Sequence, residues 1–275
     1  MLAISTKYWM PKTDYTQEII NSLRGKIEDG DFVVVSEKAI STATGNIIDE
    51  SSAMPTLNSE FIAKFWMRIV WGFILGPLCH LPASFMKHLR EYPLETGSRH
   101  KQVALQYCGL QQTLMFGSEG GIDASNLAYS YVSLPLKNAH RTAQKIHKEL
   151  LQTLHKRLCV IITDTDKTYS FWNFHFAPRQ TSFKGIHSFG GTLAYFVGRS
   201  LRLRKRATPI AAAGRELKVE DALEIAELAN RARGFGAGRT VWDMADKFKV
   251  GLTDVTWEML QTVRHKPIVI LRNRR

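Results

Sequence analysis

Residues 158–162 form a short, uncharged, apolar run, and the chain continues Thr-Asp-Thr through Thr165. A run of that length bounded by polar residues is the signature of a buried strand, and here it ends on a carboxylate, Asp164. A second stretch, Gly-Gly-Ile-Asp-Ala-Ser-Asn at 120–126, sets Asp123 among glycines and a hydroxyl where another run gives way to a turn. Hard oxygen ligands in a bend are what a divalent cation carrying phosphates requires. A lone Gly-Ile-Asp turn has a plainer reading, because Asp and Gly are favoured in turns for local reasons. Taken as a pair, the two motifs point to metal-assisted phosphate chemistry.

The surrounding pattern mixes strands with helices. Residues 32–35 and 267–271 read as buried strands, 46–48 as a short strand, and 169–176 as an alternating one. Residues 105–116 read as extended, leading into the Asp123 turn. Helical spacing covers 19–27, 59–76, 139–156, 220–233, 241–248 and 256–263. Interspersed elements of this kind favour an α+β arrangement, mixed sheets with packed helices, over a single-class fold. The 275 residues suit one unit or two interleaved subdomains, with residues 177–250 changing in character.

Residues 61–86 are rich in Phe, Trp, Ile and Leu, and they could be mistaken for a membrane span. Lys64 and Arg68 enter the helical face, and Pro77, His80 and Pro82 interrupt the run. The better reading is a buried core helix ending near Gly76-Pro77, with no membrane involved. Cys79, Cys108 and Cys159 are scattered and odd in number with no CxxC pair, which argues against a disulfide framework or structural zinc site and fits a reducing cytoplasm. The net charge of +12 favours anionic partners. The nine histidines include no metal-binding spacing; His175 reads as a hydrogen-bonded core residue, and Trp172, Trp242 and Trp257 as packing.

The landmarks, in order, resemble the γ-glutamyl ligases that add glutamate to coenzyme F-420-0. Asp29-Gly-Asp31 leads into Val33-Val-Val-Ser-Glu-Lys38, followed by Ile40-Ser41 and Gly45. Gly121 to Asn126, Leu134-Pro135, Val160 to Thr165, Gly214 to Val219 and Pro267 to Arg272 are similar in turn, closely up to Ile162 and patchily afterwards. The resemblance implies an intertwined homodimer that uses GTP with two Mg²⁺ or Mn²⁺ ions to join L-glutamate to an anionic carboxylate acceptor. It implies metal ligation by Asp123, Asp164, Thr165 and Gln261. It implies nucleotide contacts from Met10, Pro11, Lys12, Thr13, Glu37, Lys38, Asn126, Thr262 and Arg264. Such an enzyme transfers a γ-phosphoryl group to form an acyl phosphate, which the glutamate amine then attacks.

The sequence also departs from the family pattern. The lysine the family places after Ile-Ser is Thr42, and Asp166 to Trp172 replace its glycine- and arginine-containing segment. The acceptor is therefore F-420-0 or a related molecule, a folate-like or pterin-like carboxylate included. The 234–240 loop competes with 259–266 for the nucleotide.

Two readings from other classes stand beside the ligase. Asp164-x-Asp166-x-Thr168 after an apolar strand resembles the nucleophile motif of haloacid-dehalogenase-type phosphatases, with Asp164 attacking phosphorus and Asp166 as acid/base. No later strand ends in the paired acids such an enzyme needs for magnesium, since Asp243 and Asp246 fall in a helical pattern. A nucleic-acid-binding protein without catalysis has the charge in its favour, with Arg202 and Arg204 expected on one strand face, but no recognisable binding motif.

Overall fold

The computed structural model describes residues 1–117 and 119–272. Its strands are β1 (Leu2–Thr6), β2 (Phe32–Ser36), β3 (Ile47–Asp49), β4 (Tyr131–Ser133), β5 (Cys159–Phe171), β6 (Phe174–Ala177), β7 (Ile186–Ser188), β8 (Arg204–Ala213) and β9 (His265–Leu271). One mixed sheet runs β1-β9-β2-β5-β6-β7, with β8 pairing antiparallel along residues 160–170 of β5; β3 and β4 form a separate ribbon. This is the expected mixed-sheet α+β arrangement. The C-terminal strand enters between β1 and β2, antiparallel to both.

Both faces of the sheet are covered, which is why its strands are apolar without alternation. Val33, Val35, Val160, Ile162, Ile268 and Ile270 pack on one side with Ile19, Leu23, Ile146 and Leu150, from helices Tyr15–Leu23 and Ala139–Leu154. Val34, Ile161 and Val269 pack on the other with Ile225 and Ala229 of helix Val219–Arg233. That helix and β8 lie within residues 177–250, so the compositionally distinct region supplies part of the central layer.

Several local readings differ from the structure. Residues 105–116 are not extended: helices Leu94–Cys108 and Leu110–Thr113 occupy most of them, separated by Gly109 at φ 82°. Val103 and Ala104 are buried against Ile122 and Val132, so tertiary packing decides the conformation. The apolar helix runs Leu57–Leu78 and passes through a π-helical stretch, Ile62–Leu75. It is buried along one side only, by Ile62, Ala63, Met67 and Trp71; Leu57, Phe61, Phe65, Ile69 and Phe73 stand exposed. By length and composition it could cross a membrane.

Arg202 sits in a turn at φ 53°, not beside Arg204 on a strand face. Arg204 instead pairs with Glu224, and the buried Arg206 with Glu220. Trp172 does not pack; it is 86% exposed at the tip of the β5–β6 hairpin. His175 is buried and hydrogen-bonded to Ser170 Oγ at 2.9 Å, as expected.

Candidate active site

The site grows from the point at the sheet's centre where β2 ends and its parallel pairing with β5 stops. Ser36 of β2 stands in register with Thr163 of β5, so the next residues, Glu37 and Asp164, emerge side by side. Beyond Asp164 the pairing with β8 slips: Asp164 faces Thr208, but Lys167 already faces Ala207. Thr165 and Asp166 are the extra residues, and a bulge of this kind re-aims side chains. Both reach the wall of a cavity of about 900 Å³.

Between Glu37 and Asp164 lies a guanidinium that comes from the segment after β6. Arg179 Nη1 donates to Glu37 Oε2 at 2.6 Å and Nη2 to Oε1 at 3.0 Å. Nη1 also donates to Asp164 Oδ2. The Leu136 amide donates to Glu37 Oε1 at 2.9 Å, and the Thr165 amide to Asp164 Oδ1 at 2.7 Å. The arginine side chain is 2% exposed. Burial alone would raise the Asp164 carboxyl, but the Arg179 charge and hydrogen bond outweigh it and hold the group below its ordinary range.

The second carboxylate sits on the turn that the glycines make. Asp123 pairs backbone to backbone with Ser133, and its Oδ1 accepts from the Ser125 amide at 2.8 Å. Its Oδ2 is 2.7 Å from Lys38 Nζ, which also donates to Ser125 O and Oγ at 3.0 Å. Asn126, at φ 55°, ties the turn to the 234–238 loop: Oδ1 accepts from the Ala237 amide at 2.5 Å and Nδ2 donates to Gly238 O at 2.9 Å. A Cβ on Gly236 would lie 2.5 Å from Asn126 Oδ1, so only glycine lets the loop approach.

The cavity these elements enclose has two characters. Its wall carries Lys38, Lys167, Arg231, Arg233, Arg239, Arg264 and Lys266 together with Asp123, Asp166 and Glu227; Lys38 pairs with Asp123, and Lys167 and Arg231 pair with Glu227. The terminal nitrogens of Arg233 are buried without a hydrogen-bond partner among the described residues, and burial, only partly offset by Asp164, lowers its pKa to about 10. A buried guanidinium left unpaired is costly unless an anion meets it.

The same wall includes Tyr92, Phe116, Tyr195 and Trp242, which belong to one hydrophobic cluster, and Glu50, His100 and Glu119. His100 Nδ1 lies 2.6 Å from Glu50 Oε1 and Nε2 lies 3.0 Å from Glu119 Oε2. Burial works against the imidazolium, but the two carboxylates raise its pKa to about 10. Lys101, fully buried, closes the cluster on Glu119.

Of the residues singled out from sequence, Lys38, Asp123, Asn126, Thr165 and Arg264 share the cavity wall. Thr262 and Arg264 also line an adjoining hollow of about 430 Å³. Met10, Pro11, Lys12 and Thr13 form a turn outside the cavity, where the Lys12 amide donates to Ala43 O and Gln261 Nε2 donates to Met10 Sδ at 2.9 Å. Glu37 and Asp164 lie behind the wall, held by Arg179. Among the described residues no group of three or more His, Cys, Asp or Glu side chains could hold a metal ion. Sequence reasoning missed Arg179, Arg233 and the His100 cluster. Their partners lie far along the chain, and no local spacing marks them.

The cavity is concave, and its wall carries several cationic side chains beside Asp123 and Asp166. The chain belongs to the F420-0:Gamma-glutamyl ligase family, whose sequence profile matches residues 3–246. An uncharacterized protein of Methanocaldococcus jannaschii is 30% identical over 281 residues, 98% of this chain and 94% of that protein. The coenzyme F420:L-glutamate ligase of Archaeoglobus fulgidus is 31% identical over 156 residues, 56% of this chain and 54% of the enzyme. The M. jannaschii enzyme of the same name is 27% identical over 139 residues, 50% of this chain and 49% of its own.

Proposed function

We propose that the protein is a cytoplasmic, nucleotide-dependent amide ligase that joins L-glutamate to a carboxylate acceptor, coenzyme F-420-0 or a related molecule. The observation that carries this reading is the cavity that Lys38, Asp123, Arg233 and Arg264 share, with the Arg233 guanidinium buried and unpaired among the described residues, in a chain of the γ-glutamyl ligase family. GTP is the nucleotide the resemblance implies. Its phosphates would lie against Lys38, Arg233 and Arg264, which neutralise charge that builds as the γ-phosphoryl group passes to the acceptor carboxylate. Asn126 holds the 234–238 loop over this cavity, and the aromatic cluster suits the body of a flat acceptor. Attack by the glutamate amine on the acyl phosphate expels phosphate and forms the amide.

Asp123, Thr165 and Asp166 are among the oxygen donors on the cavity wall. They would hold a Mg²⁺ or Mn²⁺ ion arriving with the triphosphate, since magnesium is usually bound by one or two carboxylates plus phosphate oxygens. Two ions on Asp123, Asp164, Thr165 and Gln261 do not fit this donor set. Asp164 is engaged by Arg179, and Gln261 turns to Met10. A phosphatase that uses Asp164 as nucleophile is disfavoured by the same engagement. Nucleic-acid binding is disfavoured because the basic run at 199–206 is largely spent on internal partners. The homodimer is part of this proposal, and the exposed stripe on helix Leu57–Leu78 is the face it would bury.

Thermal-shift measurements with GTP, ATP, Mn²⁺ and Mg²⁺, alone and combined, test the reading. A ligand that binds only the native state raises the melting temperature. Cooperative stabilisation by a nucleotide with a divalent ion is expected; a flat response to every combination counts against a nucleotide-dependent enzyme.

A further inference from the structure

We propose that Arg179 is a built-in cation that occupies the place of one divalent ion, so that the site works with a single exchangeable ion on the Asp123 side. The inference rests on the ligase reading for the expectation of two ions; the placement of Arg179 stands on its own.

Three observations converge on that place. Arg179 bridges Glu37 and Asp164, the carboxylates that stand where the parallel pairing of β2 with β5 ends. Its guanidinium packs against Gly121, two residues before Asp123, so it sits between the strand end and the turn. The side chain is buried at 2% exposure and makes hydrogen bonds from both Nη1 and Nη2, so it is a fixed part of the core.

Charge leads to the same conclusion. Two carboxylates that face one another in a buried site need positive charge between them. A metal ion supplies it reversibly, whereas a guanidinium with a planar fork supplies it permanently. With Asp164 Oδ2 accepting from Arg179 and Oδ1 from the Thr165 amide, each oxygen of that carboxylate already has a partner. Asp123 differs. It lies on the cavity wall, and its partner Lys38 is a flexible side chain 21% exposed, able to pass to an arriving phosphate.

Counting bound Mn²⁺ by equilibrium dialysis and electron paramagnetic resonance, with and without GTP, tests the proposal. The native protein is expected to bind no more than one ion per chain, giving the spectrum of isolated Mn²⁺. The Glu37→Gln/Arg179→Met double variant removes one positive and one negative charge and frees Asp164. It is expected to gain one ion per chain, and adding Asp164→Asn should remove that ion. Two ions in the native protein, or no gain in a double variant whose circular dichroism is native-like, overturns the proposal. If the double variant does not fold, the native count decides. Loss of the GTP response with these counts unchanged would refute the ligase reading instead.

Discussion

The guanidinium of Arg179 lies against Gly121 so closely that a Cβ on Gly121 would stand 2.7 Å from Arg179 Cζ. Gly121 also has φ 100°, a conformation that side chains disfavour. One residue thus joins two requirements: the turn that presents Asp123, and the room for the cation that holds Glu37 and Asp164.

Gly121→Ala should therefore destabilise the fold by more than backbone strain alone. Such strain costs about 1–3 kcal/mol, and the methyl group would also push Arg179 off two buried carboxylates. Urea denaturation gives the measure. A loss below about 1 kcal/mol would show that the turn and the arginine adjust independently.

The His100 cluster makes a prediction about pH. Its folded pKa is raised from 6.5 to about 10 by Glu50 and Glu119, against burial. Its stabilising contribution is therefore fully present below pH 6.5 and is lost as pH rises through about 10. The stability gap between the native protein and His100→Gln should be widest near pH 6 and should narrow steadily toward pH 10. Lys101, Glu119 and Glu50 remain in both proteins, so comparing the two isolates the imidazole. Melting curves across that range decide it, and a gap independent of pH would mean that His100 is neutral in the fold.

Much of this architecture is legible before any coordinates. The runs at 32–35, 158–162 and 267–271 must be strands, because a sheet covered on both faces needs continuous apolar sequence. The Asp123 turn is legible because glycine and aspartate carry their own turn chemistry. What is not legible is non-local. Nothing in the last strand says that it enters between β1 and β2. Nothing around Arg179 names Glu37, 142 residues away, as its partner. The segment 94–113 is helical because Val103 and Ala104 find Ile122 and Val132, contacts that no local pattern encodes.

Asp123 and Asn126 should separate in their kinetics. Asp123→Asn removes a charge at the cavity wall whose ion pair with Lys38 is partly exposed, so little stability should be lost. Turnover of the nucleotide should fall by about a hundredfold or more, the scale for a group that stabilises transition-state charge. Asn126→Ala instead frees the 234–238 loop from its two hydrogen bonds. It should raise KM for the nucleotide more than it lowers kcat. Steady-state kinetics check both, and full turnover in Asp123→Asn would remove that carboxylate from the mechanism.

The exposed stripe on helix Leu57–Leu78 is where the proposed homodimer would meet. Phe61 is 59% and Phe73 55% exposed, and Leu57, Phe65 and Ile69 continue the same face. Contiguous apolar surface of this kind marks an interaction site in a folded protein. A second copy is the occupant that the family resemblance implies, and an isologous contact would lay the same stripe against itself. Phe61→Ser/Phe73→Ser should then convert a dimer to a monomer in light scattering at micromolar concentration. The isolated chain should keep its circular dichroism, because neither side chain is in its core. A native protein that is monomeric at high concentration, or a variant that stays dimeric, would show that this face does not carry the association.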